Sequence, residues 1–328
     1  MRNLRCFKDG ILATCLALAS FSAFSQANEA FPSRPVMVIA GIAAGGPIDL
    51  EARLYTPRLG VLLGQSFILD FKPGAAGTIG AAYVARAKPD GYTLMVISAG
   101  FTVFPAFYKD LPFNVVKDFT PISLMSERTS VLQVRQSFPA TTFSEYLAYA
   151  RANPGKINYG TTGVGSITHL AGAWMHGETN TKVTLIPFKG TGPLLQELVA
   201  GRVDVASGTL IATLPLIKSG KVRALAILND KRSELLPNVQ TVNEQGIPGY
   251  NYSNWIGFIG PAGLAPSVLR TLNDGFSKVA KHPEVVAVLE SQGSVAVGGS
   301  PAAFARLITA ETARWQKVVD ENGIKLEE

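Results

Sequence analysis

Two stretches of this chain share one design, and that design constrains everything around them. Val36 to Arg53 reads Val-Met-Val-Ile-Ala-Gly-Ile-Ala-Ala-Gly-Gly-Pro-Ile-Asp-Leu-Glu-Ala-Arg. An apolar, β-branched run gives way to small residues and then to an amphipathic pattern. That order predicts a buried strand, a tight turn and a helix N-terminus. Gly45 and Gly46 lack the Cβ that would hold a ligand off the backbone. The helix turns free N–H groups and its positive end toward the loop. Such a corner suits an anion, although a glycine pair alone serves equally as a plain strand-to-helix turn. Tyr159 to His169 repeats the plan. A short strand, Ile157 to Gly160, feeds Thr161-Thr162-Gly163-Val164-Gly165-Ser166, and Ser166 is placed to cap a helix from Ile167 to Gly177. Thr161, Thr162 and Ser166 add hydroxyls to the backbone donors.

Around the first corner, strands are expected at Ser66–Phe71 and Tyr92–Ser98, with a helix opened by Lys72–Gly80 and running to about Ala87. Around the second, strands fall at Thr184–Phe188, Arg202–Ala206 and Val222–Leu228, with helices after Thr142 and over Leu194–Ala200. Strand–helix alternation of this kind predicts parallel α/β sheets. Pro121–Arg135 and Tyr252–Pro261 are extended and apolar, and both read as crossovers between two lobes. Helices over Ser267–Lys281 and Pro283–Gln292, a strand at Ser294–Val297 and a long helix capped by Ser300 complete the chain. Residues 28–130 with 252–328 form the first lobe on this reading, and 131–251 the second. A ligand would sit in the hinged cleft, at the carboxyl ends of the facing strands.

A length of 328 residues accommodates two such lobes, and 47% hydrophobic against 16% charged residues excludes a disordered chain. The first 27 residues read as a secretory signal peptide. Arg2, Arg5 and Lys8 precede an apolar run from Ile11 to Phe24, with cleavage after Ala23-Phe24-Ser25 or Ser25-Gln26-Ala27. The run is short of the ~20 residues a membrane span needs, so a periplasmic location is expected. Cys6 and Cys15 both lie in this leader, which leaves the mature chain no disulfide and no thiolate. Of the formal charge of +6, residues 1–27 carry +2 (three basic groups against Asp9), leaving +4 without a basic run. That is a poor nucleic-acid surface.

Reaction machinery is missing. None of His169, His176 and His282 sits in a metal-binding motif, and there is no nucleophile elbow, P-loop lysine or G-x-G-x-x-G. His169 reads as a helix-packing or loop-bracing residue. Asp49, in a first helical turn, suits the helix dipole and can brace its loop. Asp204 reads as a strand-edge or turn residue. Lys189, just past a strand, would either meet an anion or pair with a carboxylate. The chain offers binding corners and no catalytic residue, cofactor or metal site.

Motifs spread along the chain then point to one family. They include Pro32-Ser33-Arg34-Pro35, Gly45-Gly46 with Asp49 and Ala52-Arg53, Pro73-Gly74-Ala75-Ala76-Gly77 and Lys88-Pro89-Asp90-Gly91-Tyr92. Asn153-Pro154-Gly155-Lys156, Gly163-x-Gly165-Ser166 with His169-Leu170-Ala171-Gly172, Pro187-Phe188-Lys189-Gly190 and Trp255-x-Gly257 follow. In number, order and spacing the chain resembles the substrate-binding proteins of tripartite tricarboxylate transporters, the Bug family, from about Phe31 to Leu326. The resemblance implies a type II periplasmic-binding-protein fold, two α/β lobes closing as a Venus flytrap, and capture of a small organic acid for membrane permease subunits; a monomer is expected. Delivery to a membrane sensor kinase is the alternative. It implies that the carboxylate is held by loop amides, hydroxyls and waters. The first lobe would supply Ile42, Ala43, Gly45, Gly46 and Asp49. The second would supply Thr161, Thr162, Gly163, Gly165, Ser166 and Gly208, with Lys189 and Gly190 flanking the cleft. This chain departs from the pattern in the first loop, where Gly41, Ile42 and Ala44 replace a proline, an aromatic residue and a second proline, and Pro47 replaces a hydroxyl. Phe71 stands where asparagine is usual and Gly208 where aspartate is common. These exchanges favour a bulkier or more apolar carboxylate.

Overall fold

A computed structural model describes residues 31–325 apart from Ala43, Gly45, Gly46 and Ser253. The signal-peptide reading, and those three residues of the first loop, lie outside the described residues.

The first lobe opens with β1 (Val36–Ala40), α1 (Pro47–Leu63), β2 (Phe67–Phe71), α2 (Thr78–Ala85), β3 (Thr93–Ser98), the single turn α3 (Phe104–Phe107) and β4 (Phe119–Arg128). β5 (Ser130–Arg135), α4 (Phe143–Ala152), β6 (Asn158–Thr161), α5 (Ile167–Glu178), β7 (Thr184–Pro187), α6 (Thr191–Val199), β8 (Val205–Thr209), α7 (Leu210–Lys218) and β9 (Val222–Ile227) follow. The chain ends with β10 (Asn254–Pro261), α8 (Pro266–Ala280), α9 (Pro283–Ser291), β11 (Ser294–Ala296) and α10 (Pro301–Asn322). Strands and helices alternate because the apolar periodicity does. β1 and β3 are β-branched runs buried on both faces, whereas α4 begins with a full capping box between Thr142 and Glu145.

Two separate sheets result, with strand orders β11-β4-β10-β3-β1-β2 and β7-β6-β8-β5-β9. Each is built on the same plan. The strand next to one edge (β1 or β6) runs parallel to both neighbours. The strand that crosses in from the other lobe then lies antiparallel beside the third: β10 beside β3, and β5 beside β8. The two extended stretches read as crossovers are therefore sheet members. Pro121–Arg135 is divided at Thr129, with β4 in one sheet and β5 in the other.

Asn229 clips the β4–β5 crossover where it breaks between the sheets. Its Oδ1 accepts from Ser130 N at 2.7 Å and its Nδ2 donates to Arg128 O at 3.2 Å, so one buried amide satisfies backbone groups on both sides of Thr129. α10 spans the junction as well. Phe304 and Ile308 belong to the core of the first sheet, and Trp315, Val318 and Val319 to that of the second. Trp174 stacks on Tyr250 at 4.2 Å and meets Trp315 edge-on at 5.9 Å, which ties α10 to α5.

Two elements were not legible as such. α7 is apolar almost all round and carries Pro215 inside it, so it shows neither a polar face nor an unbroken helical pattern. The stretch Ala99–Phe107 is equally apolar and forms a 3-10 turn leading into α3.

Candidate functional site

A cavity of 460 Å³ opens between the lobes, at the carboxyl ends of β1, β3 and β6. From the first lobe come Gly41, Ile42, Ile48, Ala76, Gly77, the end of β3 and the segment Gly100–Tyr108. From the second come Thr162 to Ile167, and Asn254 closes the floor from β10. Among the described lining residues there is no lysine, arginine, histidine, aspartate or glutamate.

The second-lobe loop is organised by Thr168. Thr162 N donates to Thr168 Oγ1 at 2.9 Å, and the hydroxyls of Thr162 and Ser166 each lie 2.9 Å from the same oxygen. Ser166 Oγ donates to Gly163 O at 2.7 Å and, as the helix cap, accepts from His169 N at 3.2 Å. With the Ser166 proton committed to Gly163, Thr168 donates to Ser166 and Thr162 donates to Thr168. Thr162 is thus the hydroxyl that can swing its proton toward a ligand without leaving Thr168 empty, because Thr162 N still feeds Thr168. His169 braces the far side, its Nδ1 accepting from Gly165 N at 3.1 Å. That bond requires a neutral imidazole, and burial holds the His169 pKa below its ordinary value. Gly163 sits at φ +141° and Gly165 at φ +69°, backbone regions that side chains disfavour. The N–H groups of Gly163, Val164, Ile167 and Thr168 meet no acceptor among the described residues. They form the donor-rich end of α5, which carries the helix's positive end.

The first-lobe corner is built differently. α1 begins with Pro47, which has no N–H to offer. Asp49, in the first turn, is buried, and Arg53 Nε donates to its Oδ1 at 2.7 Å. Gly41 is a packing glycine, since a Cβ there would lie 2.9 Å from Gly77 O and 3.1 Å from Met95 Cε. The wall beyond it is aromatic. Phe104 meets Phe101 at 5.6 Å and Tyr108 at 6.1 Å, both edge-on. Behind this wall lies Glu311 of α10, 2% exposed. Trp255 Nε1 donates to its Oε2 at 3.0 Å and Thr102 Oγ1 lies 3.2 Å away. Burial pushes the Glu311 carboxyl up to about 7.

Of the residues singled out in the sequence, Ile42, Thr162, Gly163, Gly165 and Ser166 come together at this cavity. Asp49 and Thr161 are buried just behind it, with Thr161 Oγ1 3.4 Å from Gly163 O. Lys189 is exposed and Gly190 half-buried, and neither lines the cavity. Gly208 is buried within β8, opposite Val131 and beside Gln133, away from the lining. Asp204 is a strand-edge residue that pairs with Arg135 at 2.8 Å and accepts from Asn158 N at 2.9 Å. Thr168 and Phe101–Tyr108 are not singled out by the sequence pattern. A threonine two positions past a cap in a hydroxyl-rich loop was the available signal for Thr168.

Family comparison meets this geometry from outside. The model described as "Tripartite tricarboxylate transporter family receptor" matches residues 52–324. The chain belongs to this receptor family. Three solved structures illustrate the likeness. The periplasmic binding protein BugD is 30% identical, with a TM-score of 0.69 over 90% of this chain and 100% of its own. Rpa4515 of R. palustris, solved with adipate, is 33% identical with a TM-score of 0.71 over 90% of this chain and 99% of its own. MatC of Rhodopseudomonas palustris, solved with bound malate, is 33% identical with a TM-score of 0.69 over 88% of this chain and 100% of its own. The family resemblance of the sequence is thereby shown, and so is its two-lobed binding-protein fold.

Proposed function

We propose that the chain captures a small organic acid in the interlobe cavity and holds its carboxylate on the second-lobe corner. The observation that carries this is the group of N–H donors of Gly163, Val164 and Ile167, without a described acceptor, on a cavity with no acidic lining residue among those described. A carboxylate there accepts several charge-assisted hydrogen bonds and meets the positive end of α5. The adipate and malate found in two relatives support the same ligand class. The Thr162 hydroxyl joins by rotating its proton outward, while Ser166 and His169 keep the loop in shape. Lobe closure about Thr129 and Asn229 buries the acid, and the permease subunits of a tripartite system recognise that closed form through differential affinity. The leader at residues 1–27 directs the chain to the periplasm, and the mature protein works as a monomer without a catalytic step. Delivery to a membrane sensor kinase remains the second use of the same capture.

A thermal-shift screen of the mature protein tests this. Mono-, di- and tricarboxylates are compared with their amides. At a free ligand concentration of ~100 Kd, binding adds about 2.7 kcal/mol of stability. Shifts confined to acids are expected; equal shifts with the amides would sink the reading.

A further inference from the structure

The cavity's two walls differ in kind, and the difference specifies more than "an acid". We infer that, if the carboxylate reading holds, the preferred ligand is a monocarboxylate with a ring-sized apolar body. Its acid group rests on the Gly163–Thr168 corner and its body on the first-lobe wall from Phe101 to Tyr108.

Three observations support this. Among the described lining residues, the free backbone donors lie on the second-lobe side, where Gly163, Val164 and Ile167 present N–H groups with no described acceptor. The opposite corner begins with Pro47 and already holds a buried carboxylate, Asp49 at 3% exposure, in its first turn. A second ligand carboxylate directed there would meet one donor fewer, at a helix end whose first turn is already occupied by the Asp49–Arg53 ion pair. The surface between the corners is made by Ile42, Ile48, Met95, Phe101, Phe104 and Phe107. An ionised group on such a surface loses its hydration without replacement, whereas each methylene buried there tightens binding roughly fourfold. Ser98 and Asn254 are the polar exceptions on the floor. Both are neutral, and they suit a hydroxyl or carbonyl substituent on the ligand's body. The cavity of 460 Å³ has room for a ring and a short linker.

The test is calorimetric titration of the full mature chain with 3-phenylpropanoate, its amide and adipate. The phenylpropanoate is expected to bind at least about tenfold more tightly than adipate, equivalent to two buried methylenes at the lower bound, and the amide is expected not to bind. Phe107→Ser should bring the two acids within about threefold of each other. Because Phe107 also packs against the core of the second lobe, Ile42→Thr serves as the independent variant and should narrow the gap in the same direction. Adipate binding as tightly as the phenylpropanoate, or tighter, overturns this inference while leaving acid capture intact. Binding of the amide as tightly as the acid, or no binding of either acid to a cooperatively folded chain, overturns acid capture itself and this inference with it.

Discussion

The β1–α1 and β6–α5 corners start from the same strand, loop and helix plan, yet they end as different surfaces. In the second corner the side chains turn inward. Thr168, Ser166 and His169 satisfy one another and their own loop, so the remaining N–H groups stay available. In the first, the helix opens on a proline, and the buried Asp49 is joined by Arg53. A helix N-terminus becomes an anion site only where its donors are left over and no resident carboxylate claims its dipole. Shared topology sets where a site can be. The few residues of each first turn set what it can hold.

The sharpest way to break the comparison is to exchange the roles of the glycines. Gly163→Val forces a β-branched residue to φ +141° and should cost a hundredfold or more in acid affinity, about the loss of one or two charge-assisted bonds. Gly41→Ala should act instead on stability, by about 1–3 kcal/mol, because its Cβ overpacks against Gly77 and Met95. Calorimetry and denaturant melts separate the two outcomes; equal affinity losses would mean that the corners are alike.

A second effect concerns the support behind the aromatic wall. Glu311 has its folded pKa raised to about 7 by burial, so the folded state holds a proton that the unfolded chain has released. Its contribution therefore destabilises as pH rises from about 4.5 to 7. Burial of His176, bonded to Tyr146 and Thr181, lowers its pKa to about 4. The unfolded state then takes up the proton first, and stability is lost as pH falls from about 6.5 to 4. The two slopes oppose each other. Glu311→Gln should stabilise the chain by about 2 kcal/mol at pH 8 and by much less at pH 4.5, in melts recorded across that range. A constant difference at all pH values would contradict the assignment.

Smaller effects sharpen the picture. Ser166→Ala should cost about 1 kcal/mol of stability through the lost cap and roughly tenfold in acid affinity. Pro47→Ser restores an N–H to the first corner and should raise adipate affinity several-fold, on the order of one hydrogen bond, while leaving monocarboxylates nearly unchanged. Lys189→Ala should alter acid affinity by less than about twofold, since an exposed charge is screened by solvent.

Much of this was legible before any coordinates. The β-branched strands and the Thr142 and Ser166 caps announce themselves through residues whose local chemistry and global role agree. So do the structural rather than ligand-binding roles of His169 and Asp204, although the sequence leaves open packing or bracing for the first and strand edge or turn for the second. The aromatic wall did not, because Ala99–Phe107 has no polar stripe to give it a period. Thr168 was hidden because a threonine in a first turn is ordinary until its neighbours' hydroxyls are seen converging on it. Lys189 carries charge just past a strand, a pattern common to anion sites and plain surface residues, and the fold leaves it exposed beyond the end of β7. Gly208 lies within a strand whose partner β5 arrives by a crossover, a pairing that local sequence does not encode.

The most direct test is a crystal structure of the mature chain with the tightest-binding acid. The carboxylate is expected within hydrogen-bonding distance of the Gly163, Val164 and Ile167 N–H groups and the Thr162 hydroxyl, with the rest of the ligand against Phe101–Tyr108. A carboxylate seated instead on the Pro47 end of α1, with the second-lobe donors facing only water, would contradict the account.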